Sequence, residues 1–191
     1  MMLFNKILLL LLLSVLFSCS SAVRQVNLKT VDITSKFQRK YSVAINYLKN
    51  NQVKKAQKLL TNLAKEFQDF PGIHLNLALI YYRLSELELS RKSINIVLKI
   101  SPENSLAYNL SGTLYRKAGE FTLARKDYLT ALKISPNYAD AHLNIAILFD
   151  IYLQSLLDAK QHYLKYLKYT SDDNKQVELW LQDLETRISK G

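Results

Sequence analysis

The sequence predicts an all-α fold, a stack of helical hairpins, and three observations carry that expectation. A 34-residue unit, most regular from Ser105 to Tyr138, meets a copy of itself when shifted by its own length in either direction, the signature of a repeat array. The 191 residues include 49% hydrophobic residues with only 4 Gly and 3 Pro, and strand-like alternation is nearly absent, a balance that favours long helices. Pro71, Pro102 and Pro136 all fall near the expected ends of second helices, the last two one repeat length apart, where a residue without an amide hydrogen stops a helix at little cost. The length suits one domain with a short appendage and is too short for two enzymatic domains.

At the N-terminus, Met1 to Lys6 carries one basic side chain, and Ile7 to Phe17 is apolar apart from Ser14. This is the core of a signal peptide. Eleven helical residues span about 16 Å, roughly half of a ~30 Å hydrocarbon layer, so cleavage is expected rather than a permanent span. The run ends in Leu16-Phe17-Ser18-Cys19, which resembles the bacterial lipobox, although Phe17 is bulkier than that pattern usually has. The resemblance implies cleavage of residues 1–18 and acylation of Cys19, the single cysteine, with palmitate-like chains; a plain secretory signal or an uncleaved anchor is the alternative. Two or more acyl chains hold a protein stably in a bilayer. Ser20 in place of an aspartate implies, by the same resemblance, sorting to the outer membrane with the protein facing the periplasm. Residues 19–35 read as a lipidated cysteine and tether without helical periodicity; strand-like docking of Val26, Leu28, Val31 and Ile33 is the alternative. Ser35 with Gln38 fits a capping box that opens the first helix.

The array is expected over residues 36–172, with repeats at about 37–70, 71–104, 105–138 and 139–172. Small residues recur at Ala44, Ala78, Gly112 and Ala146, and aromatics at Tyr47, Tyr81, Tyr115 and Phe149, on one face of the first helix of each pair. In the second helices Ala56, Ser90, Ala124 and Ala159 recur, as do Leu60, Ile94, Tyr128 and Tyr163. The last interval is 35 rather than 34, so one residue is inserted between Phe149 and Ala159. The first repeat departs most from the pattern, with Lys40 at an aromatic place and Asn51 at the turn glycine, as a terminal repeat should. In residues 173–191, Val177, Trp180, Leu181, Leu184 and Ile188 form one stripe, read as a capping helix.

Tyr108, Gly112, Tyr115, Gly119, Ala124, Tyr128, Ala131 and Pro136 hold the places of the tetratricopeptide-repeat (TPR) motif, and the chain resembles a TPR helical-hairpin solenoid of about four repeats plus the cap. The segments AHLNIAILFDIYL (141–153), AKQHYLKYL (159–167) and QVELWLQDLETR (176–187) further resemble small bacterial TPR lipoproteins often encoded beside TonB, ExbB and ExbD-type components. The TPR resemblance implies a partner groove formed by Tyr41, Ile45, Leu48, Lys49, Leu75, Leu79, Tyr82, Arg83, Asn109, Arg116, Lys117, Leu143 and Ile147, with Leu106, Thr113, Asp150 and Ile151 facing it as well. The groove is apolar with a basic edge, suited to a segment with apolar anchors and acidic flanks; the tether or a second copy covering these leucines is the competing account. Of the carboxylate-clamp residues of chaperone-binding TPR domains only Asn76 matches, so that activity is not expected.

The formal charge is +10, and removing residues 1–18 leaves 25 basic against 16 acidic side chains, so the basic character belongs to the mature chain. Lys65, Lys99, Lys133 and Lys168 recur near second-helix ends, with Lys58, Lys92 and Lys126 as a further ladder; favourable helix-end electrostatics and solvation of the convex face account for them, and a surface for anionic lipid or cell-wall polymer is the alternative. His74 and His142 share a repeat position too far apart to share a metal, and His162 is read as standing alone. No phosphate loop, catalytic carboxylate pair or activated nucleophile is recognisable. The expectation is a non-enzyme with no cofactor, metal, small-molecule substrate or nucleic acid. The role expected is that of an outer-membrane-anchored periplasmic adaptor for a protein of an envelope machine, such as TonB-type energy transduction, with pilotin-like type IV pilus or outer-membrane assembly as the alternative.

Overall fold

The structure, a computed structural model, describes residues 34–171 and 173–190. The signal segment, Cys19 and the tether lie outside the described residues. All regular structure among the described residues is helical, and no helix there is long and apolar enough to cross a membrane. The chain divides into two compact units, Met1–Leu63 and Ala64–Gly191.

The first unit holds α1 (34–49) and most of α2 (Val53–Glu66). Ser35, expected to cap α1, lies inside it, because the helix is already running at Thr34. Ala56, Leu60 and Leu63 make the buried face of α2, while Lys54 and Lys58 stand on the opposite face, the division that an amphipathic period dictates.

The second unit continues with α3 (Pro71–Arg83), α4 (Leu87–Ile100), α5 (Ser105–Lys117), α6 (Phe121–Ile134), α7 (Ala139–Ile147), α8 (Leu156–Tyr169) and α9 (Lys175–Lys190). The helices pack as hairpins α3/α4, α5/α6 and α7/α8, with α9 against α8. The prolines take two roles rather than one. Pro102 and Pro136 follow the ends of α4 and α6, as expected, but Pro71 opens α3, where its missing N–H would have had no intrahelical partner anyway. Asn104 caps α5, its side chain accepting from the Ala107 amide at 3.0 Å, an arrangement worth about 1 kcal/mol.

The turns inside the hairpins repeat as regularly as the helices. A left-handed residue stands at Asn51, Ser85, Gly119 and Gln154, with φ of 55°, 60°, 79° and 54°. The next amide donates back to the recurrent aromatic: Gln52 to the Tyr47 carbonyl, Glu86 to Tyr81, Glu120 to Tyr115 and Ser155 to Phe149, at 2.8 to 2.9 Å. Such a turn satisfies carbonyls that the helix end leaves open. The fourth turn is one residue longer. That residue is taken up in a π-helical turn over Leu148–Tyr152, which extends α7 and is closed by the Leu153 amide on the Leu148 carbonyl at 3.1 Å.

Close packing sets the small positions. A Cβ on Gly112 would lie 2.7 Å from the ring of buried Tyr128. The earlier repeats hold Ala44 and Ala78 there, with the smaller Leu60 and Ile94 in place of Tyr128. In α9, Val177 and Leu184 are buried against the α6 to α8 core, with Leu181 and Ile188 partly buried beside them. Trp180 departs from the expected stripe, since it is 38% exposed, its ring 6.3 Å from that of Tyr163.

Candidate functional site

A groove of about 530 Å³ crosses α3, α5 and α7 of the second unit, and Leu75, Leu79, Tyr82, Arg83, Asn109, Arg116 and Leu143, all expected from the repeat positions, line it. Leu106 and Thr113 line it as well. Leu79 is 40% and Leu106 47% exposed. Two leucines so open on facing helices are surface that a packed monomer does not need for its own core.

The floor is a polar network. The Asn144 amide donates to Asn109 Oδ1 at 3.0 Å, and the Asn109 amide donates to the Tyr138 hydroxyl at 3.2 Å. Tyr128, fully buried, donates from its hydroxyl to Thr113 at 3.2 Å, and burial pushes the Tyr128 and Tyr138 phenols up from their ordinary range. Arg116 donates to the Asn144 carbonyl at 3.1 Å, with its guanidinium 6.0 Å from the Tyr128 ring centre. It therefore ties α5 to α7 as well as charging the groove. Sequence reasoning missed Tyr138, Asp140 and Asn144 in the lining; Asn109 and Asn144 are 35 residues apart, so no repeat register joins them.

The other expected groove residues fall elsewhere. Lys117 lies outside the lining, its ammonium 5.2 Å from the Tyr82 ring centre and 3.4 Å from the Ser85 hydroxyl. Tyr41, Ile45, Leu48 and Lys49 belong to the first unit, the first three half-buried and Lys49 exposed. Ile147 lies one turn beyond Leu143 on α7, in a separate pocket of about 150 Å³ shared with Asp150, Ile151, Tyr163, Trp180 and Asp183.

Asp150 corrects the sequence reading. It was expected beside the groove, but the π turn rotates it inward, where it is 6% exposed. Arg187 of the cap reaches its Oδ1 at 2.5 Å and the Tyr163 hydroxyl donates to its Oδ2 at 3.2 Å. Burial together with this carboxylate holds the Tyr163 phenol protonated well above its ordinary range. Asp183 lies 3.0 Å from Arg187 Nε but off the N–H direction, so it pairs by charge rather than by a hydrogen bond.

His162 does not stand alone. His142 Nε2 donates to the Pro136 carbonyl at 3.0 Å, which leaves its Nδ1 to accept from His162 Nδ1 at 2.9 Å. Tyr169 and Phe149 stack on the pair, each 5.7 Å between ring centres. Burial lowers both imidazoles, and the neighbouring ring and Lys165 help to bring His162 down to about 4. His74 repeats half of the arrangement, with Nε2 at 2.8 Å from the Gln68 carbonyl, also six residues back. The hairpin turn brings His142 and His162 together at a separation of 20 residues, which the 34-residue period does not mark. Among the described residues no three His, Cys, Asp or Glu side chains group as metal ligands. Lys65, Lys99, Lys133 and Lys168 occupy the last turns of α2, α4, α6 and α8, as expected.

The comparisons agree with this architecture. Residues 41–105 match the tetratricopeptide repeat and residues 112–149 the TPR repeat family. No curated protein matches the chain in sequence. Among solved structures, the chain is similar in fold to PilF of Pseudomonas aeruginosa, at 17% identity and a TM-score of 0.71, covering 81% of this chain and 69% of that one. It is similar to MamA of Desulfovibrio magneticus RS-1, at 16% and 0.65, covering 81% and 86%. It is also similar to the first TPR of Spaghetti (RPAP3) bound to an HSP90 peptide, SRMEEVD, at 20% and 0.57, covering 64% and 94%. At these identities the likeness is one of fold. Repeats, turns, packing and family matches together make this chain a tetratricopeptide-repeat protein.

Proposed function

We propose that the chain is a membrane-tethered adaptor whose groove across α3, α5 and α7 holds an extended segment of a protein partner. The observation that carries the reading is the groove itself, an open trough with Leu79 and Leu106 exposed and Arg83 and Arg116 among its lining. Apolar side chains of the segment bury against the leucines and Tyr82, and its acidic residues meet the two arginines, with the charges contributing selectivity more than affinity. A domain of similar fold, the first TPR of RPAP3, is bound to a peptide, SRMEEVD of HSP90. Lipid attachment at Cys19, with the array facing the periplasm from the outer membrane, supplies the tether, and the partner is a component of an envelope machine such as a TonB-type system. The fold likeness to PilF is compatible with a second reading, a lipoprotein of type IV pilus or outer-membrane assembly.

Cross-linking from the groove tests the reading. A photoreactive residue at Leu79 of the full chain, expressed in its own cells, should join to one dominant protein, while the same residue at Lys126 on α6 should not. Equal adducts from both positions would remove the groove assignment.

A further inference from the structure

The net charge of the chain is confined to one end of it. Residues 64–191 carry 16 basic and 15 acidic side chains, close to neutral, whereas residues 34–63 carry seven basic side chains and no acidic one. Charge asymmetry of this kind points to a polyanionic surface. In that hairpin Lys36, Arg39, Lys49, Lys54, Lys55 and Lys58 are all exposed. Lys54 and Lys58 stand opposite the buried face of α2, and the corresponding face of α1 carries Lys36 and Arg39 together with Val43, which is 45% exposed. Cations around an exposed apolar side chain on amphipathic helices are the composition of an element that lies on a lipid interface. The hairpin also begins within about 15 residues of Cys19, at most ~50 Å of extended chain.

We propose that this first hairpin docks on anionic phospholipid headgroups and holds the array against the bilayer to which it is tethered. The proposal rests on the tether in the reading above, not on the groove. Lipidation fixes the distance to the membrane. The cationic hairpin adds a second, electrostatic contact with the same surface.

The test uses residues 19–191 with Cys19→Ser, which lacks the apolar leader and any acyl chain and keeps every described residue. Co-sedimentation is measured with vesicles of phosphatidylcholine alone and of phosphatidylcholine mixed with phosphatidylglycerol. Binding is expected only to the mixed vesicles, weakening as added salt shortens the screening length from about 8 Å toward 3 Å. The triple variant Lys54→Gln, Lys55→Gln, Lys58→Gln should lower the partition coefficient at least about tenfold. Lys92→Gln, Lys126→Gln, Lys133→Gln, an equal loss of charge from the second unit, should change it less than about twofold. Circular dichroism of each variant verifies that the exposed substitutions leave the helices intact. Equal binding to both vesicle types, equal losses in the two triple variants, or no vesicle binding beside a strong gel shift of duplex nucleic acid would each overturn the proposal. None of these results bears on the groove cross-link.

Discussion

His162 shows how a single residue ties acidity to stability. Its imidazole is held neutral in the fold, by burial first and by His142 next, with a pKa of about 4 against an ordinary value of 6.5. The unfolded chain therefore binds the proton more readily between those values, and stability rises with pH wherever that is so. The contribution is fully present above pH 6.5 and is lost as pH falls toward about 4. His162→Asn places an amide nitrogen near the position of Nδ1, keeps a donor for His142 and removes the titration. Melting temperature followed over that window should fall less steeply for the variant than for the parent; parallel curves would show that the pair does not couple folding to pH. Nothing in the sequence marked this pair, because the residues lie within one hairpin at a separation with no counterpart in the other repeats. The aromatic and small positions were legible for the opposite reason. The small place held by Gly112 and the aromatic place held by Tyr115 recur every 34 residues because each hairpin must solve the same packing and turn problem.

At the scale of the element, the inserted residue of the fourth repeat was readable as a 35-residue interval, but its form was not. The π turn over Leu148–Tyr152 preserves the hairpin turn at Gln154 and carries Asp150 from the expected groove face into the interior. A buried carboxylate needs a partner, and the cap supplies it in Arg187, so the insertion and α9 form one device. Arg187→Met should cost about 1–3 kcal/mol by leaving that carboxylate unpaired, and Arg187→Lys should recover part of the loss, because it restores the charge without the guanidinium fork. Chemical unfolding of the three proteins measures this; unchanged midpoints would mean that α9 is held by its apolar face alone. Helical periodicity placed Trp180 on the stripe, but the pocket it shares with Ile147 and Ile151 stays open to solvent.

For the whole molecule, sequence periodicity identified the fold and nine of the residues that line the groove, since in a repeat array the groove positions follow from register. It did not give Tyr138, Asp140 or Asn144, which depend on how neighbouring repeats meet. The distribution of charge divides the chain in the same way, with a cationic first hairpin and a near-neutral unit that carries the groove. Under the proposed function, this groove recognises an extended segment with apolar anchors and acidic flanks. The most direct measurement is the affinity of the peptide cross-linked at Leu79, titrated against the parent protein, Leu79→Glu and Lys126→Glu. Leu79→Glu should weaken binding at least about tenfold, through lost apolar burial and a misplaced negative charge, while Lys126→Glu should bind as the parent does. Equal affinity of Leu79→Glu and the parent for that peptide would contradict the proposed function.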